Sequence, residues 1–144
     1  MIATVAVGTD GSGTAEKAVL SALELAERYG ARIVFISAYA PVDESRLRHE
    51  KREAPDEVQW MINPEEDVDA TLRECEERAE QKGLRWASEA REGDPAKILV
   101  DLAASNDADV LVIGNKGMQR KVLGSVPNTV SHNAPCSVVI VKTT

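Results

Sequence analysis

The residues of this chain best suited to chemistry lie in two glycine-bearing loops. Late in the sequence, Gly114-Asn115-Lys116-Gly117 is followed, after six more residues and Gly124, by Ser125-Val126-Pro127-Asn128. Glycines let a backbone approach an anion closely, and Ser125 is placed to cap a helix whose free N–H groups would point at that anion. Pro127 suits the first turn of such a helix, because the N–H it lacks would have had no intrahelical acceptor. Lys116, Arg120 and Lys121 put positive charge beside it. This is the chemistry of phosphate binding, although on spacing alone the same residues also fit an ordinary loop leading into a capped helix. It is not a Walker loop, since no Gly-x4-Gly-Lys-Ser/Thr occurs in the chain. Nor is Gly11-Ser12-Gly13 a dinucleotide loop, because Glu16 stands where the third glycine belongs.

The other loop, Gly8-Thr9-Asp10-Gly11-Ser12, comes early. A carboxylate such as Asp10 accepts hydrogen bonds from ribose hydroxyls or adenine, or holds a metal, but avoids bare phosphate. Equally, Asp10 fits an Asx turn that opens a helix. No histidine or lysine–carboxylate constellation resembles a general base with an orienting partner, so no catalytic residue is assigned. Cys75 and Cys136 lack CxxC spacing and read as small core residues, while His49 and His132 read as solvated surface residues without the partners a zinc site needs.

The charge pattern bears on both loops. A net charge of −7 argues against a nucleic-acid binder, which would show a basic face. Residues 65–80 hold eight acids against Arg73 and Arg78, whereas residues 111–144 contain no acid and four cations, Lys116, Arg120, Lys121 and Lys142. That last quarter is where an anion can approach, unless the bias reflects only a buried final strand.

The elements that must position these loops follow from periodicity. Residues 2–8 form a short β-branched run, and Ala15, Ala18, Val19, Ala22, Leu23 and Ala26 recur at helical spacing before Gly30. Residues 33–36 give a second strand. Residues 39–64, with prolines at 41, 55 and 64 and no clear period, read as a partly ordered excursion or lid. Val68, Leu72, Cys75 and Ala79 form one apolar stripe on a charged helix that stops at Gly83. Residues 84–92 hold a weak third strand. Asp94-Pro95 starts a helix with a carboxylate cap and proline at its first position, and Ile98, Leu99, Leu102 and Ala103 face inward. Residues 110–113 and 137–141 supply the fourth and fifth strands, with a short helix starting near Ser125.

Strands that alternate with helices and read as continuous apolar runs indicate a doubly wound, five-stranded parallel sheet of the flavodoxin or Rossmann-like kind, in order 3-2-1-4-5. All 144 residues are expected in a single domain. The switch point of that order lies between strands 1 and 4, and ligands bind there, outside the carboxyl ends of the strands. Both glycine loops follow those two strands. No apolar run approaches the length of a membrane span, and no basic residue precedes Lys17 as a secretory signal requires, so the expectation is a cytoplasmic protein with no membrane partner.

Gly8-Thr9-Asp10-Gly11-Ser12, Ser37-Ala38-Tyr39, the Gly114…Gly117…Gly124-Ser125 array and the ending Ala134-Pro135-Cys136-Ser137-Val138-Val139-Ile140-Val141 together resemble the universal stress proteins, in order and over the whole chain. In that family the ATP-binding members carry Gly-x2-Gly-x9-Gly-Ser/Thr. The resemblance implies that Gly114, Gly117, Gly124 and Ser125 hold ribose and phosphates, that Asp10 contacts the nucleoside, and that backbone near Ala38 meets adenine. Thr9, Ile113, Asn115, Arg120, Val126 and Pro127 complete the candidate contacts. The spacer, residues 118–123, departs from the pattern with six residues where nine are usual. The family also contains members that bind cyclic AMP and members that bind no nucleotide.

The resulting expectation is a stress-response protein that binds an adenine nucleotide, ATP first, as a sensor or buffer rather than an enzyme. The alternatives are ADP, AMP or cyclic AMP as ligand, a slow ATPase or phosphotransfer enzyme, and a non-binding interaction protein. Residues 137–141, apolar on both faces yet at a sheet edge, point to a homodimer joined through strand 5, which the resemblance also implies.

Overall fold

The computed structural model describes residues 1–11, 13–39, 65–115 and 124–142. Five strands and four helices alternate among them: β1 (Thr4–Gly8), α1 (Gly13–Tyr29), β2 (Arg32–Tyr39), α2 (Glu65–Gln81), β3 (Trp86–Glu92), α3 (Pro95–Ser105), β4 (Val110–Gly114), α4 (Ser125–Asn133) and β5 (Ser137–Val141). The strands form one sheet in the order β3-β2-β1-β4-β5, and every pairing is parallel. This is the expected doubly wound order. The stretch read as a lid lies, beyond Tyr39, outside the described residues.

The two-residue period of a strand explains why the central strands read as unbroken apolar runs. Val5, Val7, Ile33, Phe35, Val110 and Val112 point to one face, where α1 and α2 cover them. Ala6, Val34, Ile36, Leu111 and Ile113 point to the other, beneath α3 and α4. The narrow stripe of α2 is buried as its spacing requires: Val68, Leu72, Cys75 and Ala79 all belong to the first of these cores. On α3, the Asp94 side chain accepts from the Lys97 amide at 3.0 Å with Pro95 at the helix start, so the capping signal at 94–95 is used as written.

β3 falls within residues 84–92 as expected, and its weak signal has a physical cause. It is an edge strand of half-buried and exposed residues, paired to β2 from Ile33↔Trp86 to Tyr39↔Glu92. Its polar residues are partnered by α2 and α3 instead of being excluded: Ser88 donates to Glu76, and Asn106 Nδ2 donates to Glu89 at 2.7 Å. β5 forms the opposite edge. Val138, Ile140 and Val141 are half-buried there and Val139 is 42% exposed, a degree of exposure unusual for a run of β-branched residues. Among the described residues, no helix is long and apolar enough to cross a membrane.

Candidate functional site

β1 lies between β2 and β4, and the chain leaves the carboxyl ends of β1 and β4 toward opposite faces of the sheet. α1 follows β1 on one face, and α4 lies after β4 on the other, so the switch point of the sheet, where folds of this kind form a ligand crevice, falls between β1 and β4. Its first wall is the loop after β1. The Thr9 amide donates to the Ile36 carbonyl (2.9 Å), and Ser37 Oγ donates to the Thr9 carbonyl (2.6 Å). These bonds extend the pairing with β2 past the end of the strand and hold the loop down. The hydroxyl of Thr9 accepts from the Gly11 amide at 3.3 Å, closing the turn locally. Thr9 and Asp10 are 2% and 3% exposed, so Asp10 is a buried carboxyl at the end of β1.

Two glycines here are required by their surroundings. A β-carbon on Gly8 would lie 2.6 Å from Cδ2 of Leu99, a core side chain that has little freedom to yield. Gly11 has a φ of +81°, and a β-carbon there would lie 2.6 Å from Thr71 Oγ1 of α2.

The second wall begins at the end of β4. Ile113 is buried in the core under α3 and α4, and Gly114 pairs with Val141. Asn115 is wholly buried, and its amide donates to the Val141 carbonyl at 3.1 Å. Ala38, near the end of β2, is also buried on the α3–α4 side. Thr9, Asp10, Ala38, Gly114 and Asn115 are thereby gathered at the carboxyl ends of three adjacent strands. Gly117 and Arg120, with Lys116 and Lys121, lie outside the described residues.

At the start of α4 the structure moves one role. Gly124, not Ser125, is the N-cap residue, with φ −64° and ψ 169°, and its carbonyl accepts from the Asn128 amide at 3.1 Å. Ser125 is the first helical residue and is exposed, because Val126 and Pro127 bury against the core and fix the rotation of the helix. Gly124 has no side chain to satisfy the first turn. A helix start whose N-cap supplies no side-chain acceptor suits an anion, which its leading amides and the positive end of the dipole attract.

A region that the sequence did not single out adjoins the first wall. A cavity of about 160 Å³ lies between α1 and α2, lined by Thr9, Gly11, Glu16, Thr71, Cys75 and Arg78 among others. Arg78 Nη2 donates to Glu16 Oε1 at 2.5 Å and lies 3.6 Å from Glu74. The bond to Glu16 is also the main reason the Arg78 guanidinium holds its proton more tightly than usual. Burial pushes the Cys75 thiol up to about 11, partly opposed by Arg78. No spacing rule links residues 9–16 to residues 71–78, so only the packing of the helices reveals the cavity. Among the described residues there is no group of three histidine, cysteine or acidic side chains that could hold a metal ion.

The fold and crevice define a doubly wound parallel α/β protein with its polar loops at the switch point. The chain matches the universal stress protein family over residues 1–142, and it belongs to that family. Universal stress protein Rv1636 of Mycobacterium tuberculosis is 36% identical over 148 aligned positions, spanning 98% of this chain and 97% of the relative. Universal stress protein MJ0531 of Methanocaldococcus jannaschii is 32% identical over 144 positions, spanning 96% and 81%. Among solved structures, a universal stress protein in complex with cAMP superposes with a TM-score of 0.73 at 31% identity, covering 99% of this chain and 98% of that one.

Proposed function

We propose that this chain is a single-domain, cytoplasmic stress protein that binds an adenine nucleotide in the crevice between the loops after β1 and β4, and acts by binding rather than by turnover. What supports the reading is that Asp10, buried just after β1, and Gly124, at an α4 N-terminus without a side-chain cap from Gly124, follow the two strands that flank the switch point of the sheet. The two halves suit the two ends of a nucleotide. Thr9, Asp10 and the backbone at Ala38 would take the nucleoside, with Asp10 accepting from ribose or adenine and available to a magnesium ion. Gly114, Asn115 and Gly117, with Arg120 and the α4 start from Gly124 through Ser125, Val126 and Pro127, would take the phosphates.

ATP is the first candidate, since Arg120, Lys121 and the helix terminus favour an extended anionic tail. AMP or cyclic AMP is the second, favoured by the solved relative in complex with cAMP and by the six-residue spacer, which would close around one phosphate. The test is to identify the nucleotide that co-purifies with the protein, then titrate the ligand-free protein by calorimetry. Adenine nucleotide in stoichiometric amount supports the reading, and protein that neither retains nor binds one overturns it. Release of inorganic phosphate from ATP during the same incubation would instead support a slow ATPase.

A further inference from the structure

We propose that Thr71 and Arg78 of α2 are positioning residues for the loop Thr9–Gly11, so that α2 sets the affinity of the crevice. This rests on reading the crevice as a nucleotide site. Two contacts, one on each side of the loop's exit, carry the inference. A β-carbon on Gly11 would come within 2.6 Å of Thr71 Oγ1, so α2 leaves room at this point for a glycine backbone only. Seven residues along the same helix face, two turns on, Arg78 reaches Glu16 in the first turn of α1. The loop is thus held against α2 at Gly11 and again just beyond, where it has become α1. Between the contacts lies the 160 Å³ cavity, which leaves room for the loop to sink if either is lost. On its other side the loop is fixed to β2 through the Thr9 amide and Ser37, so movement at Gly11 would be expressed as rotation of Asp10 between two anchors.

The ion pair adds little to global stability. The Arg78 and Glu16 side chains are 29% and 50% exposed, and exposed pairs contribute little to folding. A local positioning role separates from a structural one on that ground. Arg78→Gln should leave the melting temperature nearly unchanged but accelerate hydrogen exchange at the Thr9 and Gly11 amides in the ligand-free protein, and Arg78→Lys should restore protection in part. Affinity should fall by about tenfold (about 1.4 kcal/mol) for adenosine and ATP alike, because the loop serves the nucleoside end.

The second arm is a double-mutant cycle. Gly11→Ala suffers both the strain of positive φ and the collision with Thr71. Adding Thr71→Ala removes only the collision, since the next atom, Thr71 Cβ, is at an ordinary 3.6 Å. The double variant should therefore bind more tightly than Gly11→Ala alone. Unchanged exchange in Arg78→Gln overturns the role of Arg78, and strictly additive Gly11 and Thr71 effects overturn that of Thr71. A wild-type protein that binds no adenine nucleotide overturns the functional reading instead, and the exchange at Thr9 and Gly11 still decides the positioning role.

Discussion

The amide of Asn115 donates to the carbonyl of Val141 at 3.1 Å, carrying the β4–β5 pairing one residue beyond Gly114↔Val141. The residue that follows β4 is therefore bonded directly to the edge strand of the sheet. Whatever orders β5 also orders the first residues of the glycine array.

That edge is the predicted dimer contact. A run of five β-branched or small residues with Val139 42% exposed leaves apolar surface and unpaired backbone on one side, a combination that favours pairing with another strand. A two-fold homodimer through β5 is expected, and Val139→Lys should convert it to monomer by placing a charge in the apolar contact. Sedimentation at micromolar protein checks both. A monomer mass for the wild type at every concentration would sink the dimer.

Gly124→Val should reduce nucleotide affinity at least tenfold, roughly 1.4 kcal/mol. The φ of −64° at this position is open to any residue, so the expected loss comes from blocking close approach of ligand to the helix start, not from backbone strain. Because Gly124 is buried, a modest fall in melting temperature should accompany it. Calorimetry on the folded variant isolates the binding effect, and unchanged affinity would make Gly124 a turn residue only.

Arg120 and Lys121 fall in a stretch without opposing acids, so affinity is expected in the order ATP, ADP, AMP, with differences that shrink as salt rises. Replacing both with alanine should compress the order. Titration of these nucleotides and cyclic AMP at two salt concentrations checks it. Equal binding of ATP and AMP, independent of salt, would assign the six-residue spacer to a single phosphate.

Cys75 should be an inert thiol whose ionisation weakens the fold at high pH. Burial raises its folded value from 9.0 to about 11, so the unfolded chain releases the proton first. Stability should fall as pH rises from about 9 through 11, by up to about 3 kcal/mol from this group. Urea unfolding at pH 8 and near pH 11 measures the loss, which Cys75→Ala should lack. A pH dependence identical in both proteins would assign the change to other groups.

Much of this architecture is local in origin and was legible in the residues. The continuous apolar runs at 4–8, 33–36 and 110–113 require a sheet covered on both faces, the stripe Val68–Leu72–Cys75–Ala79 admits one buried helix edge, and Asp94-Pro95 can only open a helix efficiently. From alternation and handedness the strand order followed, and with it a switch point flanked by Thr9–Asp10 and Gly114–Asn115. The rest was decided by packing between distant segments. Whether Gly124 or Ser125 caps α4 depends on Val126 and Pro127 finding the core, which sets the rotation of the helix and so the residue at its threshold. β3 pairs in spite of its polar residues because α2 and α3 supply their partners. The contacts of Gly11 with Thr71 and of Glu16 with Arg78 join segments some sixty residues apart, brought together only when two helices settle on one face of the sheet. Sequence periodicity records which face of each element is apolar; it does not record how neighbouring helices meet, because that depends on the volumes of side chains contributed by several elements at once.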